Sequence, residues 1–198
     1  MARKARGEIL FDGCYTHVFS RAIEKRWIFK EPEDFQKFLC FLSEKKLVSD
    51  FLIHHYCLMN THFHLVLRIG ALSEFSKGMQ WVKWQYTHYY NLKYKRYGPL
   101  WRERFKSLLI EDEKYLAACG QYVESNPVEA KMVDKPEDWP YSSSRCYFLE
   151  EEDLLVTKYN FDGSLPGDVA VKDKTSFERG NGIGSPIFKF RLKEGIKT

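Results

Sequence analysis

The stretch Phe51-Leu52-Ile53-His54-His55-Tyr56-Cys57-Leu58-Met59-Asn60-Thr61-His62-Phe63-His64-Leu65-Val66-Leu67-Arg68-Ile69 reads as two β-strands joined by a tight Asn60-Thr61 turn. Side chains alternate along a strand, so Phe63, Leu65, Leu67 and Ile69 form one wholly apolar face. The opposite face carries His62, His64, Val66 and Arg68. One face is core and the other is free for chemistry. The stems of His62 and His64 stand roughly 7 Å apart at ~3.3 Å per residue, so both imidazoles can converge on one metal ion. The pattern is not specific by itself, because two satisfied histidines in a half-buried strand look the same. By the same alternation His54 and His55 face opposite ways and cannot both line one site.

Outward from this hairpin, Ile9 to Ser20 reads as a first strand. Pro32, with Glu31, Glu33 and Asp34 around it, marks a helix start, and Phe35, Phe38, Leu39 and Leu42 carry that helix to about Val48. Leu72, Phe75, Met79, Val82, Tyr86 and Tyr89 step by three and four, predicting a long amphipathic helix to about Tyr94. Gly98-Pro99 breaks it. Trp101 to Ile110 is a fourth strand or extended segment, and Asp112 to about Ser125 a third helix closed by Pro127. The order β-α-β-β-α-β predicts an α+β fold, a ferredoxin-like split βαβ sandwich with an antiparallel sheet. Two helices cover one sheet face. The third lies beside the sheet and aims Tyr122 at the histidines, with Asn126 four residues on and on the same helix face. Asn126-Pro127 is also what a plain helix stop looks like. Residues 1–150 form one domain. Residues 151–198, beginning in the acidic run Glu150-Glu151-Glu152-Asp153 and rich in Gly and Pro, form a loosely ordered C-terminal extension.

Of the 198 residues 44% are hydrophobic, which provides for a sizeable core and argues against wholesale disorder. The net charge of +4 is unevenly spread. Lys77 to Lys106 holds eight Lys or Arg against Glu103 alone, whereas Glu111 to Asp153 holds twelve acids against four bases. Basic surface interleaved with aromatic residues suits a polyanion with bases to stack on, although a solvated helix face gives the same composition. The five cysteines (Cys14, Cys40, Cys57, Cys119, Cys146) are odd in number and contain no Cys-x-x-Cys pair, so they read as free thiols in a reducing cytosol. No apolar run approaches 18 residues and the basic N-terminus lacks a signal-peptide core, so a soluble cytoplasmic protein without membrane contact is expected. His17 and His88 stand alone and read as structural or surface residues.

In combination these motifs resemble a known family. His62-Phe63-His64 is similar to the His-hydrophobic-His motif of HUH single-strand nucleases. Tyr56 to Leu67, Leu100-Trp101-Arg102-Glu103-Arg104-Phe105, Tyr122-Val123-Glu124-Ser125-Asn126-Pro127-Val128 and Trp139-Pro140-Tyr141-Ser142-Ser143-Ser144 resemble, in order, segments of the REP-associated tyrosine transposases. The resemblance covers roughly residues 8 to 148. Two positions depart from it: the turn reads Met59-Asn60-Thr61 where relatives often have Met-Pro-Asn, and Glu129 and Lys131 stand where Arg and Gly are common.

The resemblance implies a single-tyrosine transposase that recognises hairpin DNA and nicks single strands, with Tyr122 as nucleophile, His62, His64 and Asn126 as metal ligands, and Mg2+ or Mn2+ as the ion. It leaves the protein a monomer or a homodimer. Arg3, Lys4, Arg6, Lys83, Lys93, Lys95, Arg96, Arg102, Arg104 and Lys106 are the candidate phosphate contacts, and Trp81, Trp84 and Trp101 the candidate stacking surfaces. Tyr86, Tyr89, Tyr90, Tyr94 and Tyr97 are rival nucleophiles or base platforms. Two other readings stand beside this one: a domesticated module that grips hairpin DNA without cutting it, and a metal phosphohydrolase that needs His62 and His64 but not Tyr122.

Overall fold

The period-two segments pair into a four-stranded antiparallel sheet in the computed structural model, which describes residues 8–46 and 48–159. In chain order the elements are β1 (Tyr15–Arg21), α1 (Pro32–Lys46), β2 (Phe51–Met59), β3 (His62–Ile69), α2 (Leu72–Lys93), β4 (Lys106–Ile110), α3 (Glu113–Glu129) and α4 (Ser144–Phe148). The sheet order is β2-β3-β1-β4, with β3 inserted between the parallel pair β1 and β2. This is the expected α+β, ferredoxin-like split βαβ arrangement. Residues Phe63, Leu65, Leu67 and Ile69 of β3 are fully buried against α1 and α2. On the other sheet face α3 packs over β2 and β3 through Cys57, Met59, Val66, Cys119 and Val123. The third helix therefore lies on the face of the sheet rather than beside it.

Several boundaries differ from the sequence reading. β1 begins at Tyr15, not Ile9, and β4 at Lys106, Trp101 making only an isolated bridge to Ala22. The third helix does not stop at Pro127; it continues to Glu129. Proline removes one backbone donor, which orphans the Val123 carbonyl. The side chain of Asn126 replaces that donor, its Nδ2 donating to the carbonyls of Val123 (3.2 Å) and Tyr122 (2.8 Å). The residue before proline is thus the one that keeps the helix intact.

The extension expected to be loose from residue 151 is folded onto the domain through Tyr159. Val156 forms a parallel bridge to Ile53, the Thr157 amide donates to the Ile53 carbonyl, and Tyr56 donates its hydroxyl to Asp153. The Tyr141 to Ser143 segment lies against the same edge, bridging Cys57 to Ser142. Together these segments cover the outer edge of β2, which would otherwise expose unpaired backbone groups. The rest of the extension, 160–198, lies outside the described residues.

Asp34 fixes α1 to α2. It is fully buried, accepts from the backbone amides of Lys30 and Glu31, and receives the hydroxyls of Tyr89 and Tyr94 and the ammonium of Lys93. A carboxylate with five donors compensates its desolvation, and its pKa lies below the usual value despite burial. Asp34→Ala leaves two half-buried phenols and two amides of the helix start without their acceptor. The expected loss is roughly 3 kcal/mol of unfolding free energy, measured by urea denaturation.

Candidate active site

The pairing of β1 with β3 assembles the site. His64 stands opposite Phe19, Val66 opposite His17 and His62 opposite Arg21, so that Arg21, Phe19, His17, His62 and His64 share the face covered by α3. His64 is almost fully buried and its Nδ1 lies 2.9 Å from Nε2 of His17. His62 has Nδ1 held at 2.9 Å by the hydroxyl of Thr61, one of the two turn residues that depart from the family pattern. The turn itself is pinned by backbone bonds from Ala22, Ile28 and Phe29 to the carbonyls of Thr61 and Asn60. Both histidines thus have Nδ1 engaged by the protein. Nε2 of His64 is buried with no hydrogen-bond partner.

From α3, Tyr122 lies edge-on to the rings of His64 (centroids 6.1 Å apart) and His17 (6.2 Å). Asn126 is buried one turn further along, its amide nitrogen spent on the backbone. His62, His64 and Tyr122 thus lie ring against ring although their segments are some sixty residues apart, whereas Asn126 is bonded to Tyr122 and Val123 of its own helix. Among the described residues no three His, Cys, Asp or Glu side chains converge as a metal site.

Burial sets the electrostatics. It lowers the pKa of His62 to about 4, helped by Arg21, and that of His17 to about 3, while His64 falls well below its ordinary value. All three rings are neutral at neutral pH. Burial raises Tyr122 above its ordinary value, with Glu129 and Cys119 adding to the rise, whereas Arg21 and hydrogen bonding with Asn126 oppose it. Arg21 therefore acts on His62, His64 and Tyr122 at once. Neither His17 nor Arg21 was selected from sequence. Their own alternation puts them on one strand face, but nothing in β1 says which residues of β3 they meet.

The family described as "Transposase IS200 like" matches residues 11–126, more than half of the chain. The chain belongs to this family. Over 97 residues it is 31% identical to a Haemophilus influenzae protein provisionally named a REP-associated tyrosine transposase, a match spanning 44% of the chain and 55% of that relative. The solved structure of a REP-associated tyrosine transposase bound to a REP hairpin superposes with a TM-score of 0.62 over 92% of this chain and 100% of that one, at 22% identity, which supports the common fold.

The candidate phosphate contacts divide. Arg3, Lys4 and Arg6 lie outside the described residues. Lys83 is buried on the inward stripe of α2, its ammonium donating to Ser20 Oγ (2.7 Å) and the Glu103 carbonyl (2.8 Å). Lys93 is tied to Glu31, Glu33 and Asp34 within 3.2 Å. Neither is a free surface cation, so the structure corrects both assignments. Charge counting missed this because both lysines meet partners distant in sequence. Arg96 is bound to Asn91 and the Pro99 carbonyl, and Lys106 pairs with Glu103 beside Phe19. Lys95, Arg102 and Arg104 are exposed, as is Trp84, whereas Trp101 packs on Phe38, Phe63 and Tyr86. Tyr86 and Tyr90 are core residues rather than rival nucleophiles. Among the described residues no helix is long and apolar enough to cross a membrane, and all five cysteines are free thiols.

A second polar cluster holds α3 in place. Glu124, nearly buried, accepts from Ser143 Oγ (2.7 Å) and binds His55 Nδ1 (2.8 Å), while His55 Nε2 meets the Tyr159 hydroxyl. A register shift between Ile53 and His55 puts both His54 and His55 against Tyr159, overturning the expectation that adjacent strand residues must diverge. His54 is fully buried and its pKa is lowered to about 4, chiefly by desolvation. The unfolded chain takes up protons at His17 and His54 below pH ~6.5, but the fold resists them until pH falls to about 3 and about 4. Stability is thus expected to fall as pH drops from ~6.5 toward 4, by up to ~1.4 kcal/mol per pH unit for each ring. Urea midpoints of the metal-free protein across this range test it, and His54→Asn should flatten the slope.

Proposed function

We propose that this transposase is a metal-dependent single-strand DNA endonuclease and strand transferase that acts on hairpin-bearing DNA through a covalent tyrosyl intermediate. The observation that carries the reading is Tyr122 set edge-on over His64, whose Nε2 is buried and unpartnered. An orphaned imidazole nitrogen beneath a half-buried phenol fits a ligand that the described chain does not supply. His62 Nε2, His64 Nε2 and the amide oxygen of Asn126 would hold a divalent ion. Two nitrogens and one oxygen suit Mn2+ well and are compatible with Mg2+, which prefers oxygen. When bound, such an ion supplies Lewis-acid polarisation of the phosphoryl oxygens.

The chain's own groups account for the rest. Tyr122 is a phenol at neutral pH, so its proton departs as the bond from Oη to phosphorus forms. The bond from phosphorus to the 3′ oxygen breaks, and that oxygen leaves as a hydroxyl while the 5′ phosphate stays on the tyrosine. Arg21 favours the charged forms of both phenol and phosphate, in a position where water is partly excluded. Because the phosphotyrosine retains the phosphodiester's bond energy, attack by another 3′ hydroxyl reverses the step and joins strands. The hairpin is proposed to be of the REP class, by analogy with the solved neighbour that carries one. Exposed Lys95, Arg102 and Arg104 are the phosphate contacts that remain open to it.

Wild type and Tyr122→Phe, incubated with Mn2+ or Mg2+ and hairpin oligonucleotides, test the proposal on denaturing gels. A protein–DNA adduct is expected for wild type only, and is lost in His62→Ala and His64→Ala. Cleavage that persists in Tyr122→Phe overturns the tyrosine mechanism in favour of a metal hydrolase, and hairpin binding with no adduct in wild type points to a module that grips without cutting. Arg21→Ala should slow adduct formation by about 10²- to 10³-fold, with Arg21→Lys intermediate, in single-turnover assays.

A further inference from the structure

We infer that His17 is a positioning residue for the metal, orienting His64 by accepting from its Nδ1 when Nε2 ligates. The inference rests on the cation reading proposed above. His17 is 1% exposed, and its Nε2 lies 2.9 Å from Nδ1 of His64 with the two rings stacked at 21°. Two neutral imidazoles joined nitrogen to nitrogen share a single proton, so only two arrangements are possible. If His17 donates from Nε2, His64 carries its own hydrogen on Nε2 and has no lone pair for a cation. If His64 donates from Nδ1, its Nε2 lone pair is free and His17 carries its hydrogen on Nδ1. Only the second arrangement binds metal.

Both arrangements leave the same outer nitrogens of the pair without a partner in the described chain. These are His64 Nε2 and His17 Nδ1, both buried. A cation at His64 Nε2 satisfies the first and selects the tautomer. His17 also accepts the hydrogen bond that makes His64 more basic, an effect that ligating histidines obtain from a carboxylate or a carbonyl in other proteins. Here the acceptor is the imidazole of a neighbouring strand. His62 has its counterpart support in Thr61. The two ligands are thus oriented by different means, one from the turn and one from the neighbouring strand.

Mn2+ binding to the full-length, DNA-free protein tests this, read as loss of the free-ion signal in room-temperature electron paramagnetic resonance. His17→Phe keeps the ring volume but removes the acceptor. It is expected to weaken Mn2+ binding about 10- to 100-fold, while His17→Gln, whose amide oxygen can accept from His64, recovers most of the affinity. Unfolding in EDTA checks that each variant folds, and His17→Leu takes the place of His17→Phe if the larger ring is not accommodated. Wild-type Mn2+ affinity in a folded His17→Phe or His17→Leu overturns the role of His17 and leaves the metal site standing. Wild-type protein whose Mn2+ binding is absent, or is unchanged in His64→Ala, overturns the metal reading and this inference with it.

Discussion

The register of β3 between β1 and β2 is the constraint on which the molecule depends. Side chains alternate, so a slip of one residue would carry His62 and His64 into the helical core and bring Phe63, Leu65 and Leu67 out under α3. The apolar face of β3 is completely buried, which makes such a slip prohibitively costly. Burial on one face thus fixes the chemistry of the other. The same register aligns Arg21 with His62 and Phe19 with His64, and puts His17 close enough to bond the second histidine.

The site also depends on the angle at which α3 meets the sheet. Two devices set it. Cys119 and Val123 pack on Cys57, Met59 and Val66, and buried Glu124 is clamped by His55 and Ser143. Glycine at position 120 is a requirement of this approach, since a Cβ there would lie 2.4 Å from His55 Nε2. Tyr159 closes the cluster from the C-terminal segment. The helix that presents the tyrosine is therefore positioned by its apolar packing on the sheet and by the Glu124 cluster.

Charge patterning proved less informative than alternation. The basic stretch around α2 suggested a continuous phosphate-binding surface, yet Lys83 and Lys93 serve the interior and the α1 junction. A long side chain on an amphipathic helix can lie on either side of the boundary between core and solvent, and its composition does not record which. Arg102 and Arg104 remain exposed.

The hairpin Phe51 to Ile69, the long helix from Leu72 and the α+β class were legible in the sequence, because period-two and period-3.6 patterns are local and each element buries the face it advertises. His62, His64, Tyr122 and Asn126 were legible as a set through the family resemblance, and the structure sets the rings of His62, His64 and Tyr122 against one another. What the sequence could not decide were relations between distant segments. The continuation of α3 through Pro127 depends on an amide bond made by Asn126, the shared face of His54 and His55 on a strand irregularity, and the folding of 151–159 on the edge of β2. His17 and Arg21 belong to the site only because β1 pairs with β3 in one register. Local periodicity is written in a segment, whereas a partner across the sheet is chosen by the packing of the whole domain, and only the tertiary structure holds that choice.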